Sequence, residues 1–165
     1  MSWICGTCGE THEELPLSFA ADYPDNYANL SPDQRDIRTT IGSDQCIIDQ
    51  KQFYIRGCLE IPIQDSDQVF LWGLWALIWE KDYDEIEESW EEQGRECRGP
   101  FKGRLGNALS EYDVSTFNLP LTIKLQPVGT RPLFFIDEPE HPLAVAQRDG
   151  MTLKQVEELA AKLLH

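Results

Sequence analysis

The stretch VFLWGLWALIW, residues 69–79, is an unbroken apolar run near the middle of the chain. Trp72, Trp75 and Trp79 recur at a spacing that a helix would also produce, so periodicity alone does not assign the run. Its aromatic and aliphatic composition favours a central strand that is buried on both faces. A run of eleven residues is too short to cross a bilayer as a helix. We therefore expect this stretch to form the core of the fold.

The segment that precedes this run predicts a β-hairpin. Cys46–Ile48 forms one arm, Asp49–Gln52 the turn, and Phe53–Ile63 a second arm in which apolar and polar residues alternate. With a turn of that length, Cys46 lies on the apolar face and Cys58 on the other. The two thiols are then not expected to share a ligand.

The rest of the chain supplies further elements of both kinds. Three helices are predicted from Ser31 to about Gly42, over Pro142–Asp149 and over Leu153–Leu164, the first and last opened by capping boxes. A fourth, acidic helix is expected over Asp82–Gln93, strands over Leu121–Val128 and Pro132–Asp137, and an irregular loop over Leu15–Asn29. These elements predict an α+β fold. The expected architecture is an antiparallel sheet of roughly four to six strands with helices packed mainly on one side.

At 165 residues with 41% hydrophobic side chains, the chain is long enough to build one substantial core. We expect a single domain over residues 1–165, with an N-terminal segment over 1–14 and a C-terminal helix over 152–164.

The N-terminal segment carries the clearest chemical motif, WICGTCGETH over residues 3–12. Two thiols three positions apart, Cys5 and Cys8, are followed by Gly9, which permits the tight turn that lets both sulfurs face one ion. His12 supplies a third donor. This pattern predicts a zinc-knuckle-like site with zinc as the cofactor. The fourth ligand must come from elsewhere, with Cys58 as the first candidate and His141, Cys46 and Cys97 after it.

Two other interpretations of the cysteine pair are weaker. A redox pair is disfavoured because no βαβ pattern follows it. A catalytic zinc needs an open fourth position, with Glu10, Glu13 or Glu14 as the base. A knuckle of this kind more often holds a segment in place than performs catalysis, so structural zinc is preferred.

The remaining candidate residues give weaker support for a functional role. Asp137, Glu138, Glu140 and His141 form an acidic loop with one histidine, which is suited to acid–base chemistry or metal binding. The simpler interpretation is that His141 caps the helix that begins at Pro142. Cys58 lies close to Arg56, but no histidine is near it in sequence, so thiol catalysis is disfavoured.

The net charge of −15, from 29 acidic and 14 basic residues, disfavours direct binding to nucleic acid. Between Glu80 and Glu96, nine acidic residues face only two basic ones. This acidic helix is either a solvated face or a docking surface for a basic protein partner.

Five cysteines at positions 5, 8, 46, 58 and 97, with no secretory leader pattern before them, indicate reduced thiols. A cytoplasmic protein without membrane attachment is expected.

Several stretches together resemble a bacterial domain-of-unknown-function family (family 2199): WICGTCGETH, LPLSFAADYP, GSDQCIID, FYIRGCLEIPI, FLWGLWALI and RPLFFIDEPEHPLAVAQRDGMT. The resemblance extends from Trp3 to the last helix and implies a bacterial, single-domain, cytosolic protein. It assigns no role to the residues that carry its motifs, which are Cys5, Cys8, Gly9, His12, Asp44, Cys46, Arg56, Gly57, His141, Pro142, Gln147 and Gly150.

Two functional hypotheses follow. The first is a zinc-stabilised interaction or inhibitor/immunity-type module that recognises a basic partner. The alternative is a metal-dependent hydrolase with an open zinc site at Cys5, Cys8 and His12, in which His141 or a nearby glutamate acts as the base. Whether the chain is an enzyme stays open at this point, with the non-catalytic hypothesis preferred.

Overall fold

The computed structural model describes residues 2–165 and contains both strands and helices. The strands are β1 Trp3–Ile4, β2 Thr11–His12, β3 Ser18–Ala20, β4 Thr39–Ile41, β5 Gln45–Ile48, β6 Gln52–Pro62, β7 Val69–Ile78, β8 Phe101–Leu105, β9 Pro120–Lys124 and β10 Leu133–Ile136. The α-helices are α1 Asp25–Ala28, α2 Pro32–Arg38, α3 Glu80–Glu88, α4 Pro142–Asp149 and α5 Leu153–Leu164. The predicted α+β class is confirmed.

The centre of the fold is a closed five-stranded barrel. Strands β6 to β10 pair in chain order as antiparallel neighbours, and β10 then pairs with β6 in parallel, with Leu133 beside Cys58. The expected simple antiparallel sheet is therefore wrong in its architecture. A meander of five strands that closes on itself must bring its first and last strands together in parallel. Strands β5 and β4 extend the sheet beyond β6, and β3 pairs in parallel with β7.

One close approach accompanies the closure of the barrel. Gly57 in β6 lies against the ring of Phe134 in β10, and a Cβ atom at Gly57 would overlap that ring. Phe134 is fully buried. The glycine thus lets an aromatic side chain fill the seam between the two parallel strands.

The predicted strand over residues 69–79 is confirmed as β7, which lies at the centre of the core. Phe70, Leu74 and Ala76 are fully buried among the apolar residues of the neighbouring strands. The strand ends at Ile78, so Trp79 lies outside it and is 72% exposed.

The predicted hairpin forms, but its turn is one residue shorter than expected. Asp49 and Gln50 both adopt positive φ, and pairing resumes with Ile48 opposite Gln52. A one-residue change in register moves a side chain to the other face of the sheet. Cys46 therefore lies opposite Tyr54 and on the same face as Cys58, which corrects the prediction that the two cysteines face opposite sides.

Other regions also differ from the expectation. The helix expected from Ser31 to about Gly42 ends at Arg38, and Thr39–Ile41 forms β4. The loop expected over 15–29 contains β3 and α1, and the glycine-rich segment near 101–105, to which no element was assigned, forms β8. The acidic helix begins at Glu80 and ends at Glu88, earlier than expected at both ends.

The two C-terminal helices match their predicted bounds. Thr152 and Gln155 form the expected capping box at the start of α5. Val156, Leu159 and Ala160 are buried and belong to the main apolar core, so this side of α5 packs on the barrel. Within residues 2–165, no helix has the length and apolar composition needed to cross a membrane.

Candidate metal centre

The N-terminal segment folds as a small hairpin around its two thiols. Strand β1 pairs with β2, which places Trp3 opposite His12. Between the strands, the Cys5 carbonyl accepts a hydrogen bond from the Gly9 N–H at 2.8 Å, and the Cys5 N–H donates to the Glu10 carbonyl at 2.9 Å. Gly9 adopts φ +75°, a conformation that glycine reaches without strain. The predicted turn between the cysteines and the histidine is thus present.

Four potential ligand atoms gather at this hairpin. One donor atom each from Cys5, Cys8, His12 and His165 lies within 4.8 Å of the other three. Cys5 is buried, His12 is half-buried, and Cys8 and His165 are exposed. The group can hold a metal ion.

The separation of two of the donors is close to that in a tetrahedral zinc site. The Cys8 Sγ atom lies 3.4 Å from the His12 Nε2 atom. In a tetrahedral zinc site with Zn–S near 2.3 Å and Zn–N near 2.0–2.1 Å, a sulfur and a nitrogen are separated by about 3.6 Å. The observed separation is thus within about 0.2 Å of the zinc-site value. Two thiolates with two imidazoles is a common structural zinc set.

Backbone groups in the hairpin favour the charged form of Cys5. The backbone N–H of Cys8 contributes most and that of Thr7 adds to it, and together they lower the pKa of the Cys5 thiol although burial opposes the shift. A thiol must lose its proton to bind a metal ion. The turn thus prepares one ligand before any ion arrives.

His165 reaches the hairpin because α5 packs beside it. The Thr7 hydroxyl donates to the Ala161 carbonyl in the last turns of the helix, at 3.2 Å. His165 follows the end of α5 as its C-cap residue, and its ring centroid lies 6.4 Å from that of His12. Ligands from opposite ends of the sequence therefore meet. Sequence reasoning missed His165, since only the packing of the predicted amphipathic helix brings it near.

Cys58, the first candidate for the fourth ligand, is not in this group. It lies half-buried in β6, where its N–H donates to the Pro132 carbonyl at 2.8 Å. Burial raises the pKa of the Cys58 thiol, and it raises that of Cys46 to about 11. Cys97 is exposed in a short 3-10 turn, Arg95–Cys97.

His141 is engaged in holding the fold. Its Nδ1 atom accepts a hydrogen bond from the Leu143 N–H at 3.0 Å, which confirms the predicted cap of α4. Because Nδ1 accepts, Nε2 carries the proton and donates to the Ser115 carbonyl at 3.0 Å. The ring is only 5% exposed. Both nitrogens are used, so His141 is neither a free base nor a free ligand.

Other residues of the predicted motif also support the barrel. Gln147 accepts from the Ile136 N–H and donates to the Phe134 carbonyl, which ties α4 to β10. Gly150, at φ +86°, lies so close to the Pro62 carbonyl that a Cβ atom would approach it to 2.8 Å. These positions are explained by packing rather than by chemistry at a site.

Asp44 and Arg56 lie on the outside of the sheet. Asp44 accepts from the Arg131 Nε at 2.7 Å. The Arg56 guanidinium lies over the Trp75 ring, 5.4 Å from its centroid. Among the described residues, the candidate metal-ligand group consists of donors from the N-terminal hairpin and His165. Asp44 and Arg56 do not belong to it.

A family model described as "Uncharacterized protein conserved in bacteria (DUF2199)" matches residues 4–151. The comparison with curated proteins and the comparison with solved structures each find no match. The matched residues include Cys5, Cys8 and His12 but stop before His165.

Proposed function

We propose that this chain, which belongs to the bacterial family DUF2199, is a non-catalytic binding module with a structural zinc ion at its N-terminal hairpin. Cys5, Cys8, His12 and His165 would hold the ion. The acidic face of α3 would bind a basic protein partner.

The observation that carries the zinc proposal is the meeting of four donors from both ends of the sequence. Strands β1 and β2 contain two residues each, and most side chains around them are exposed. Such a hairpin buries too little apolar surface to be stable alone. An ion shared with His165 would fix it to α5.

Four protein donors also favour a structural role over catalysis. A hydrolytic zinc keeps one position open for water, whereas a structural zinc is closed by its protein ligands. His141, the histidine considered as a base for a hydrolase, has both ring nitrogens bonded elsewhere. The hydrolase alternative therefore has less support.

The partner proposal rests on a row of carboxylates along α3 and just beyond it. Glu80, Asp84 and Glu88 follow one another at four-residue intervals and are all exposed, and Glu91 extends the row. Within residues 2–165, none of the four forms a salt bridge. Unpaired charges of one sign attract an oppositely charged surface and accelerate its association.

Elemental analysis of the purified protein tests the zinc proposal. Wild type is expected to contain stoichiometric zinc, Cys5→Ser to contain none and to melt at a lower temperature, and His165→Ala to retain less. Cys58→Ser is the matched control and should keep its zinc. Wild type without zinc, or loss of zinc from Cys58→Ser, would overturn the proposed ligand set.

Capture of proteins from the source bacterium's lysate at low and high salt tests the acidic face. One variant neutralises the row, with Glu80→Gln, Asp84→Asn, Glu88→Gln and Glu91→Gln. A control removes the same charge from other exposed positions, with Asp33→Asn, Asp36→Asn, Asp65→Asn and Asp67→Asn. We expect a salt-sensitive partner that only the first variant loses. Capture that ignores salt, or equal loss in both variants, would contradict the proposal.

A further inference from the structure

A groove on the outer surface of the barrel is lined by residues that are distant in sequence from the metal ligands. It encloses a cavity of about 380 Å³ across β7, β8 and β9. Leu77, Arg104 and Pro120 are paired in register across these strands, so their side chains share one face. Leu77 packs against a second apolar cluster, separate from the barrel core, which identifies this face as the outer one. The buried members of that cluster are Tyr27, Cys46, Ile48, Tyr54 and Trp75.

The charge of the groove is opposite to that of the chain. Lys51, Lys102 and Arg104 line it, with Asp137 as the one carboxylate among its lining residues. Lys102 is paired with Asp137 at 3.1 Å. Within residues 2–165, Lys51 and Arg104 form no salt bridge. In a chain of net charge −15, these two free cations make a local site of positive charge.

Arg104 has most of its donors available. One of its terminal nitrogens donates to the Asn118 carbonyl at 3.1 Å. A guanidinium carries five N–H groups in a planar fork, so the remaining ones can bind an anionic oxygen pair.

Trp79 supplies a flat apolar surface beside these charges. It lines the groove and is 72% exposed, whereas the other four tryptophans are buried or half-buried. Water contact along a whole indole ring is unfavourable, and the ring would gain by stacking on a planar group. Leu77 and Pro120 add apolar contact on the floor of the groove.

We propose that this groove binds a small organic anion with an aromatic ring, which stacks on Trp79 while Lys51 and Arg104 hold its charged group. The cavity volume lies in the range that small-molecule sites occupy. The two cations favour a ligand with a negative charge, and the exposed indole of Trp79 favours a ligand with an aromatic ring. The groove shares no lining residue with the zinc ligands or the acidic row, and Trp79 directly precedes Glu80, the first residue of that row.

Fluorescence titration with anilinonaphthalene sulfonate tests the site, with neutral phenylnaphthylamine as a matched ligand that lacks the sulfonate. We expect saturable binding of the sulfonate with energy transfer from tryptophan. Binding of the neutral compound should be about tenfold weaker or more, because it loses the hydrogen bonds between the charged group and the two cations. Equal affinity for the two compounds would overturn the anion requirement.

Variants locate the bound dye. Trp79→Ala and the double variant Lys51→Gln, Arg104→Gln should each weaken binding roughly tenfold or more, while circular dichroism stays unchanged because all three side chains are exposed. The control Ile37→Ala removes the side chain that is 84% exposed elsewhere on the surface. The second control, Lys154→Gln with Lys162→Gln, removes two exposed cations from α5. Both controls should bind like wild type. An unchanged affinity in Trp79→Ala, or an equal loss in either control, would refute the groove as the site.

Discussion

The barrel and the N-terminal hairpin differ in how much apolar surface they bury. The barrel closes through strands of up to eleven residues around fully buried side chains such as Leu59, Phe70 and Phe134. The hairpin has two-residue strands and buries mainly Trp3 and Cys5. A barrel of this kind is stable through the apolar area it removes from water. The hairpin removes much less, and the ion proposed to bind its four donors would supply another source of stability.

The contrast also separates the three histidines. His141 lies in the barrel region with both ring nitrogens hydrogen-bonded to the backbone. His12 and His165 lie at the hairpin, where they gather with thiols. A histidine whose nitrogens are already used contributes to packing, and those that converge on sulfur atoms form the candidate site.

The largest effect is expected from a cavity in the barrel. Phe134→Ala removes a fully buried ring and should lower the free energy of unfolding by about 3–5 kcal/mol, measured by chemical denaturation. Phe135→Ala, at the neighbouring position that is 36% exposed, is the control and should lower it by about 1 kcal/mol or less. Similar losses in the two variants would show that barrel packing does not dominate stability.

Metal removal should act on the hairpin and leave the barrel intact. With a chelator, the amide protons of Cys5 and Gly9, which are hydrogen-bonded inside the hairpin, are expected to exchange freely. Protection in β6 and β7 should persist, as hydrogen exchange with mass spectrometry can measure. If protection in β6 and β7 is lost together with that of the hairpin, the two regions are not independent.

A smaller effect is expected from the contact between the hairpin and α5. Thr7→Val removes the hydrogen bond to the Ala161 carbonyl and should destabilise docking by about 0.5–1.5 kcal/mol, seen as faster amide exchange in the hairpin. Thr11→Val, at an exposed position in β2, is the matched control. Equal amide-exchange rates in the two variants would contradict a role for the Thr7 hydrogen bond in docking the hairpin on α5.

The smallest change concerns reactivity without any change in stability. Cys97 is exposed and should be alkylated by iodoacetamide at neutral pH, whereas Cys46 is buried with a pKa raised to about 11 and holds little of the reactive thiolate. Mass spectrometry should find Cys46 modified only after unfolding. Cys8, although exposed, should resist modification until a chelator is added. Rapid alkylation of Cys8 without a chelator would contradict a bound ion.

Local signals in the sequence predicted several strands and helices of the fold, but they did not predict that the barrel closes. The alternation over residues 53–63 and the apolar run after it identified β6 and β7, and proline and threonine caps identified α4 and α5. The parallel pairing of β10 with β6 depends on contacts more than 70 residues apart, such as Leu133 with Cys58. No local pattern encodes such a pairing. The register of β5 with β6 was not predicted correctly. Its turn uses Asp49 and Gln50 at positive φ, and no glycine is present there to mark the turn in the sequence.

The candidate site divides in the same way. Cys5, Cys8 and His12 are close in sequence, so their spacing alone suggested a common ion. His165 is separated from them by the whole chain, and its approach depends on how α5 packs. A histidine just past an amphipathic helix was the one available signal, and it has no distinctive spacing.

X-ray absorption spectroscopy of the zinc-loaded protein tests the central claim most directly. A site formed by Cys5, Cys8, His12 and His165 predicts two sulfur atoms near 2.3 Å and two imidazole nitrogens near 2.0–2.1 Å, with the outer-shell scattering of two histidine rings. In His165→Ala the spectrum should retain both sulfurs and lose one ring. A wild-type spectrum with three sulfurs, or with a single histidine ring and an oxygen, would contradict the proposed structural site.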